Sequence, residues 1–241
     1  KIIKYTKKIA IANKETLICA WDLILKQMNK YKTEFVPVDS EHFSIWYSLK
    51  KNKDKNIDKI YLTASGGPLL NISKKKFKTL KIKQVIEHPN WQMGKKISVD
   101  SSTMMNKVFE IIEAKNMFNI DYENLKILIH PKSYVHAIIQ FKGGMIKIVA
   151  HPTTMEIPIF NSLYDDEFKK IKSIDLDIEK LNDLNFTKID KNKFPLVNIL
   201  KTLPNKNSLY ETVIVSANDA LVNLYLVKKI KYTDIIHKIF S

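Results

Sequence analysis

Residues 35–43 read FVPVDSEHF. Phe35, Val36 and Val38 form a short apolar run that suits a buried strand, and Asp39 and Glu41 follow two positions apart. Side chains on a strand alternate faces, so on a continuing strand the two acids point the same way. Two carboxylates held together repel, and burial raises the pKa of one of them unless a cation neutralises the pair. Hard divalent cations such as magnesium and manganese take oxygen ligands of this kind. The plain alternative is a strand end with both acids in water.

Working outward, KIAIAN (8–13) reads as a buried strand. Glu15–Lys30 reads as one helix, with Leu17, Trp21, Ile24, Leu25 and Met28 at helical spacing. SEHFSIWYSL (40–49) suits a helix with Phe43, Trp46 and Tyr47 on one side. KKNKDKNIDK (50–59) is a solvated loop, and IYLTA (60–64) is a strand ending in the tight turn SGGP (65–68). HPNWQMGKK (88–96) is an irregular loop. VDSSTMMNKVFEIIEAKNMF (99–118) opens with cap residues and continues as one helix. LKILIH (125–130) and YVHAIIQF (134–141) are strands, and Gly143 and Gly144 mark a hairpin into MIKIVA (145–150). Residues 165–192 are charged and linker-like, and helices follow at roughly 194–202, 208–229 and 232–240. The fold class is therefore α/β: an α+β domain with a mixed sheet and helices, followed by a helical C-terminal region.

The 241 residues suffice for one large domain or two smaller ones, and 45% hydrophobic content is ordinary for a folded chain. No run of ~20 apolar residues offers a membrane span. The chain opens on Lys and shows no signal-peptide pattern, so it reads as an excerpt from a longer protein. A single cysteine, Cys19, excludes an internal disulfide framework and fits a reducing compartment. The formal charge of +15 comes entirely from lysine, because the chain has no arginine. Abundant lysine, asparagine and isoleucine are the pattern expected of an AT-rich genome. Arginine, the better bidentate reader of bases, is missing, and the lysines are spread along the chain. Both points argue against a nucleic-acid partner.

A third acid strengthens the metal reading. Asn106 and Glu110 are four residues apart, hence on one helix stripe, with Lys107 on the flank and Met105, Val108, Phe109 and Ile112 on the apolar side. Glu110 could complete a three-carboxylate site with Asp39 and Glu41. Glu113 reads as a surface acid paired to a nearby lysine. TASGGP ends a strand in small residues whose amides could approach an anion, and DSST opens a helix, where the N–H groups favour anions. Ser65, Ser101, Asn106 and Lys107 could together hold a phosphate. The loop carrying Trp91, Met93 and Gly94 is a plausible lid that excludes water. His88 and His136 could donate hydrogen bonds or act as bases, although a lone histidine more often serves packing.

ANKET (12–16), PVDSEHFSIW (37–46), LTASGGP (62–68), HPNWQMGKKISVDSSTMMNKVFEIIEA (88–114) and LIHPKSYVHAII (128–139), in this order, closely resemble 1-deoxy-D-xylulose-5-phosphate reductoisomerase. The resemblance runs from about Lys8 to Ile235, and the MMNK and PVDSEH blocks are its specific marks. It implies rearrangement and NADPH-dependent reduction of 1-deoxy-D-xylulose 5-phosphate to 2-C-methyl-D-erythritol 4-phosphate, in the non-mevalonate route to isoprenoids. It implies a magnesium or manganese ion on Asp39, Glu41 and Glu110. Substrate contacts are implied at Lys14, Ser40, Glu41, Glu110, His88 and Trp91, with Ser65, Ser101, Asn106 and Lys107 at the phosphate end and Ser133 and His136 elsewhere in the pocket. Lys14, Glu41, Glu110 and His88 carry the implied catalytic roles. NADPH contacts are implied at Asn13, Glu15 and Gly94, with Met93 and Met155 lining the nicotinamide side.

On this resemblance, residues 1–31 correspond to the last strand and helix of a truncated Rossmann-type NADPH-binding domain. Residues 32–164 form the metal and substrate domain, 165–192 a linker, and 193–241 part of a C-terminal helical domain. Val108 stands where the family usually has glycine, and Lys147 interrupts an otherwise usual strand. A homodimer is implied, with no membrane and no nucleic-acid partner, in a bacterial cytoplasm (an endosymbiont fits the lysine bias) or in a plastid if the source is eukaryotic. The excerpt alone is expected to be inactive. Two alternatives stand beside this reading: a decayed homologue that binds metal and sugar phosphate without catalysis, and a basic nucleic-acid-binding module.

Overall fold

The computed structural model describes residues 1–50, 56–164, 169–171, 175–206 and 208–241. A short strand, β1 (Lys8–Ile11), leads into helices α1 (Lys14–Cys19) and α2 (Trp21–Tyr31) and then β2 (Glu34–Pro37), which pairs parallel with β1. Helix α3 (Ser40–Leu49) follows β2 directly. Strand β3 (Ile57–Ala64) starts a second sheet. It is followed by α4 (Ile82–Ile86), α5 (Lys95–Thr103), α6 (Met105–Phe118), β4 (Leu125–Ile129), β5 (Val135–Phe141) and β6 (Ile146–Ala150). The chain ends through α7 (Glu156–Leu163), α8 (Ile178–Asn182), β7 (Thr187–Lys188), α9 (Tyr210–Leu226) and α10 (Tyr232–Ile239).

The larger sheet has strand order β6-β5-β3-β4-β7. Only β3 and β4 run parallel within it, joined by the crossover that carries α4, α5 and α6, as a parallel pair requires. The mixed sheet and helices are those expected from the sequence. Helix α6 is the centre of the molecule: nine residues from Met105 to Ala114 are buried, on every side of it. Its Val108, Phe109, Ile111 and Ile112 pack with Ile60 and Leu62 of β3, Leu125 and Ile129 of β4, and Leu196, Val197 and Ile199. A second cluster joins Val85, Val99, Val222, Tyr225 and Ile235, tying α4 and α5 to α9 and α10.

Several expected boundaries shift, each for a packing reason. The helix anticipated over Glu15–Lys30 breaks at Ala20 (φ −126°, ψ 15°) into α1 and α2. The break turns Ile18 into the main core, while Leu17, Trp21, Ile24 and Met28 stay over Ile9, Ile11 and Phe35. The helix anticipated over 99–118 breaks at Met104, which takes a left-handed backbone (φ 65°) and buries both Met104 and Met105. Strand β1 is half-buried, its sheet having two strands among the described residues. Strand β3 begins at Ile57, inside the stretch read as loop, and residues 51–55 of that loop lie outside the described residues. Within 165–192, read as linker, α8 and the edge strand β7 form, and residues 165–168 and 172–174 lie outside the description. Pro195–Lys201 is a 3-10 helix. Among the described residues no helix is long and apolar enough to cross a membrane.

Candidate metal and anion site

Asp39 and Glu41 do come together, by a different geometry from the strand alternation expected. Strand β2 stops at Pro37, and Asp39 becomes the N-cap of α3, its Oδ1 accepting from the Glu41 amide at 3.2 Å. A capping aspartate accepts from the second or third amide of its helix, so cap and first turn converge. Glu110 reaches the same point from α6, and one oxygen from each of the three carboxylates lies within 4.8 Å of the others. Asn106, one turn back, donates to Glu110 Oε1 at 2.6 Å, as the four-residue spacing requires.

Two ammonium groups sit among these acids. Lys14 Nζ lies 2.5 Å from Asp39 and 3.7 Å from Glu110. Lys107 Nζ donates to Glu41 at 2.7 Å, to Glu110 at 2.5 Å and to the Thr63 carbonyl. Burial alone would raise the Asp39 and Glu41 carboxyls. Lys14 holds the first well below its usual range, and Lys107 holds the second lower than usual. Glu110 goes the other way, pushed up to about 7 by burial and by the neighbouring Glu41. The third acid is thus the one its cations do not fully compensate. All three offer hard oxygen donors, the chemistry that magnesium and manganese select, so the cluster fits such an ion.

The cluster opens on a cavity of about 220 Å³ lined also by Ser40, Ser65, His88, Trp91, Met93, Ser101, Asn106, Ser133, His136 and Met155. Every residue expected to touch metal or substrate is therefore at one cavity, together with two of the five expected at NADPH. Asn13, Glu15 and Gly94 are outside its lining. Asn13 caps α1, accepting from Thr16 N at 2.8 Å, Glu15 pairs with Lys96, and Gly94 is the N-cap of α5.

The end of the cavity where an anion is expected is built from the turn after β3. Gly66 and Gly67 both have positive φ (92° and 66°), a backbone open to glycine. A Cβ on Gly67 would lie 2.7 Å from the Ser101 carbonyl oxygen, so glycine alone permits this approach of turn to helix. Ser65 Oγ accepts from Gly67 N at 3.0 Å. Ser101 does not cap a helix start as DSST suggested. Helix α5 begins at Lys95, and Ser101 lies in its last turn. The helix N-terminus at the cavity is that of α6, with Asn106 and Lys107 in its first turn.

Loop 88–94 covers the cavity's flank. His88 Nδ1 accepts from the amides of Asn90 (3.2 Å) and Trp91 (3.0 Å), which leaves the proton on Nε2 to donate to Ser65 Oγ at 3.0 Å. Asn90 Nδ2 donates to the Pro131 carbonyl (2.6 Å) and to Ser133 Oγ (2.8 Å). The Trp91 ring lies edge-on to His136 at 6.4 Å. His136 stacks on His151, centroids 3.8 Å apart.

Three site neighbours escape the sequence reading. Glu113, taken there for a surface acid, is 1% exposed, and its Oε2 lies 3.5 Å from Lys14 Nζ. Its place one turn from Glu110 on a helix buried all round was the available signal. His42 is fully buried, with Nδ1 3.2 Å from Asp39 and Nε2 2.8 Å from the Glu110 carbonyl. Burial would depress its pKa, but Asp39 and Glu113 hold it up at about 9. His151 sits behind His136, and only the HP pair after a strand hinted at it. Val108 lies in the main core, and Lys147 lies on β6 with its Nζ donating to the Ser48 carbonyl, away from the cavity lining.

Burial, joined for His88 by Lys107 and for His136 by the stacked His151, pushes both imidazoles down to about 4. Between that value and about 6.5, where an unfolded histidine titrates, the unfolded chain binds more protons, so stability rises with pH. The contribution is complete above about pH 6.5 and is lost as pH falls through about 4. The expected result is a fall in urea midpoint from pH 7 to pH 4.5 that is smaller in His136→Gln. Equal falls in the two proteins would contradict the assignment.

A carboxylate cluster with the donor chemistry of a divalent-cation site shares one cavity with a glycine turn on a mixed α/β scaffold, the arrangement of a metal-site α/β domain. Residues 35–118 match a family profile described as the 1-deoxy-D-xylulose 5-phosphate reductoisomerase C-terminal domain, and residues 151–241 match the DXP reductoisomerase C-terminal domain. The chain belongs to the 1-deoxy-D-xylulose 5-phosphate reductoisomerase family. The protein of that name from Pelagibacter ubique (strain HTCC1062) is 61% identical over 97% of this chain. The one from Sulfurihydrogenibium sp. (strain YO3AOP1) is 42% identical over 99%. The chain spans 60% and 62% of those two relatives. A crystal structure of DOX-P reductoisomerase with NADPH, fosmidomycin and magnesium superposes with a TM-score of 0.90, at 33% identity, over 98% of this chain and 60% of that one. The Zymomonas mobilis enzyme with NADPH gives 0.89, at 32% identity, over 98% and 61%.

Proposed function

We propose that this chain forms the metal- and substrate-binding part of an NADPH-dependent 1-deoxy-D-xylulose 5-phosphate reductoisomerase. The observation that carries the reading is the meeting of Asp39, Glu41 and Glu110 on one cavity that Ser65, Ser101 and Asn106 also line. Asp39, Glu41 and Glu110 would hold the ion, which when bound supplies Lewis-acid polarisation of the substrate's carbonyl oxygen and a fixed template. Ser65, Ser101 and Asn106 offer hydrogen bonds to the phosphate, with Lys107 as the nearby cation, and so bind the substrate away from its reacting carbons. Ser40, Ser133 and His136 orient the rest of it, and neutral His88 holds its Nε2 proton toward Ser65. Trp91 excludes water from the charged end. Lys14, between Asp39 and Glu113, is placed to donate to a substrate oxygen.

Met93 and Met155 give the cavity two polarisable thioether walls, which suit a flat ring, and Asn13, Glu15 and Gly94 lie outside its lining. NADPH, when bound, supplies the hydride. The proposed partners are the sugar phosphate and a second copy of the chain. The named relatives are bacterial, and a bacterial cytoplasm is the proposed location.

The test is calorimetric titration of fosmidomycin into the chain with and without manganese. Manganese-dependent binding is expected, and its absence would overturn the reading. Because the chain spans about 60% of its relatives, turnover of substrate with NADPH is expected to be absent. Turnover at rates typical of an intact enzyme would refute that part.

A further inference from the structure

Lys96 lies outside the cavity lining, in the first turn of α5, directly after loop 88–94. Its ammonium meets carboxylates from three elements: Glu15 of α1 at 2.7 Å, Asp100 of α5 at 3.2 Å and Asp219 of α9 at 3.0 Å. Asp100 is 2% exposed, and its other oxygen accepts from the fully buried Asn218 Nδ2 at 2.7 Å. An isolated surface ion pair of this kind would contribute little. A network anchored on a buried carboxylate differs, because releasing Lys96 would leave Asp100 buried without its cation. The contacts continue toward the site. Glu15 accepts from Asn13 Nδ2 at 2.9 Å, Asn13 caps α1, and the first residue of α1 is Lys14, which reaches Asp39.

We propose that Lys96 is a positioning residue that clamps Glu15 and the base of loop 88–94 onto α9. Helix α9, none of whose residues lines the cavity, thereby sets the geometry of the site's cofactor side. The functional half of this inference rests on the proposed assignment of Glu15 to NADPH. A further observation agrees: burial alone would raise the Glu15 carboxyl, and its hydrogen bond with Lys96 holds it below the ordinary value. Lysine suits the role because its compact ammonium donates to Glu15 and Asp100 and still pairs by charge with Asp219 at 3.0 Å.

Asp219→Asn removes one arm of the clamp from a partly exposed position that touches neither cavity nor lid. The experiment compares four chains: wild type, Asp219→Asn, Glu15→Gln and the double variant. Urea unfolding reads the clamp without reference to function, and NADPH fluorescence titration reads its consequence. Non-additive unfolding midpoints are expected, since the two acids share one cation. Asp219→Asn is expected to weaken NADPH binding roughly 5- to 10-fold, the low end of long-range couplings, and to leave it unchanged when Glu15 is already Gln. Manganese affinity should stay the same in all four. Additive midpoints overturn the clamp whatever NADPH does. Non-additive midpoints with equal NADPH affinity overturn the positioning role. Non-additive midpoints without any NADPH binding by the wild type overturn the positioning role in this chain and support the clamp as the device that fixes the lid base.

Discussion

Glu110→Gln is expected to abolish manganese binding while leaving the fold intact. Glu110 is 2% exposed and shares its cluster with Asp39 and Glu41, whose ligand oxygens lie within 4.8 Å of its own. Changing a group that merely orients a ligand costs about 10- to 100-fold in metal affinity. Removing one of three charged ligands should exceed that range, so a loss of at least about 100-fold is expected by isothermal titration. Stability should hold, for a reason visible in the charges. Burial and Glu41 push the Glu110 carboxyl up to about 7, so its charge is disfavoured in the folded chain, and Lys107 keeps Glu41 as a partner when that charge is removed. Glutamine also keeps an oxygen for the Asn106 donor. A loss under tenfold with an unchanged urea midpoint would mean that the ion, if bound, sits elsewhere.

Phe109→Ala is expected to be the most damaging simple truncation for stability. Phe109 is 1% exposed at the centre of α6, in one cluster with residues of both strands of the parallel pair. Emptying such a site removes the transfer free energy of the ring and leaves a cavity that the rigid sheet cannot close, at about 3–5 kcal/mol. Against a typical total stability of roughly 5–15 kcal/mol, this takes about a fifth or more. Urea denaturation of the two proteins measures it directly. A change below about 1.5 kcal/mol would show that α6 is not the structural centre its burial indicates.

Much of this architecture was legible in the chain. Alternating and continuous apolar runs marked β2, β3, β4, β5 and β6, because strand pairing needs the same β-branched residues that the eye can count. The four-residue spacing of Asn106 and Glu110 placed them on one stripe, and the hydrogen bond between them follows from helix geometry alone. The helix breaks at Ala20 and Met104 were not legible. Neither position carries glycine or proline, and both bends serve tertiary packing. The same holds for Ser101: a serine after aspartate reads as a cap, yet Gly94 starts the helix earlier and Ser101 meets the Gly67 turn at its other end.

The sequence by itself determined which groups the site can offer: carboxylate oxygens, small residues and hydroxyls, and an aromatic loop. It also determined the family, since those blocks recur in fixed order. Only the tertiary structure decided which charges meet. Glu113 looked like an ordinary surface acid, and nothing local marked His42, until α3 and α6 packed together; the pairing of Lys107 with Glu41 and Glu110 was likewise set by packing. Local sequence sets what a residue can do over a turn or two of backbone. Electrostatic partners act over a few ångströms in space, across 66 residues of chain between Glu41 and Lys107 and 99 between Lys14 and Glu113, and no local pattern encodes that distance.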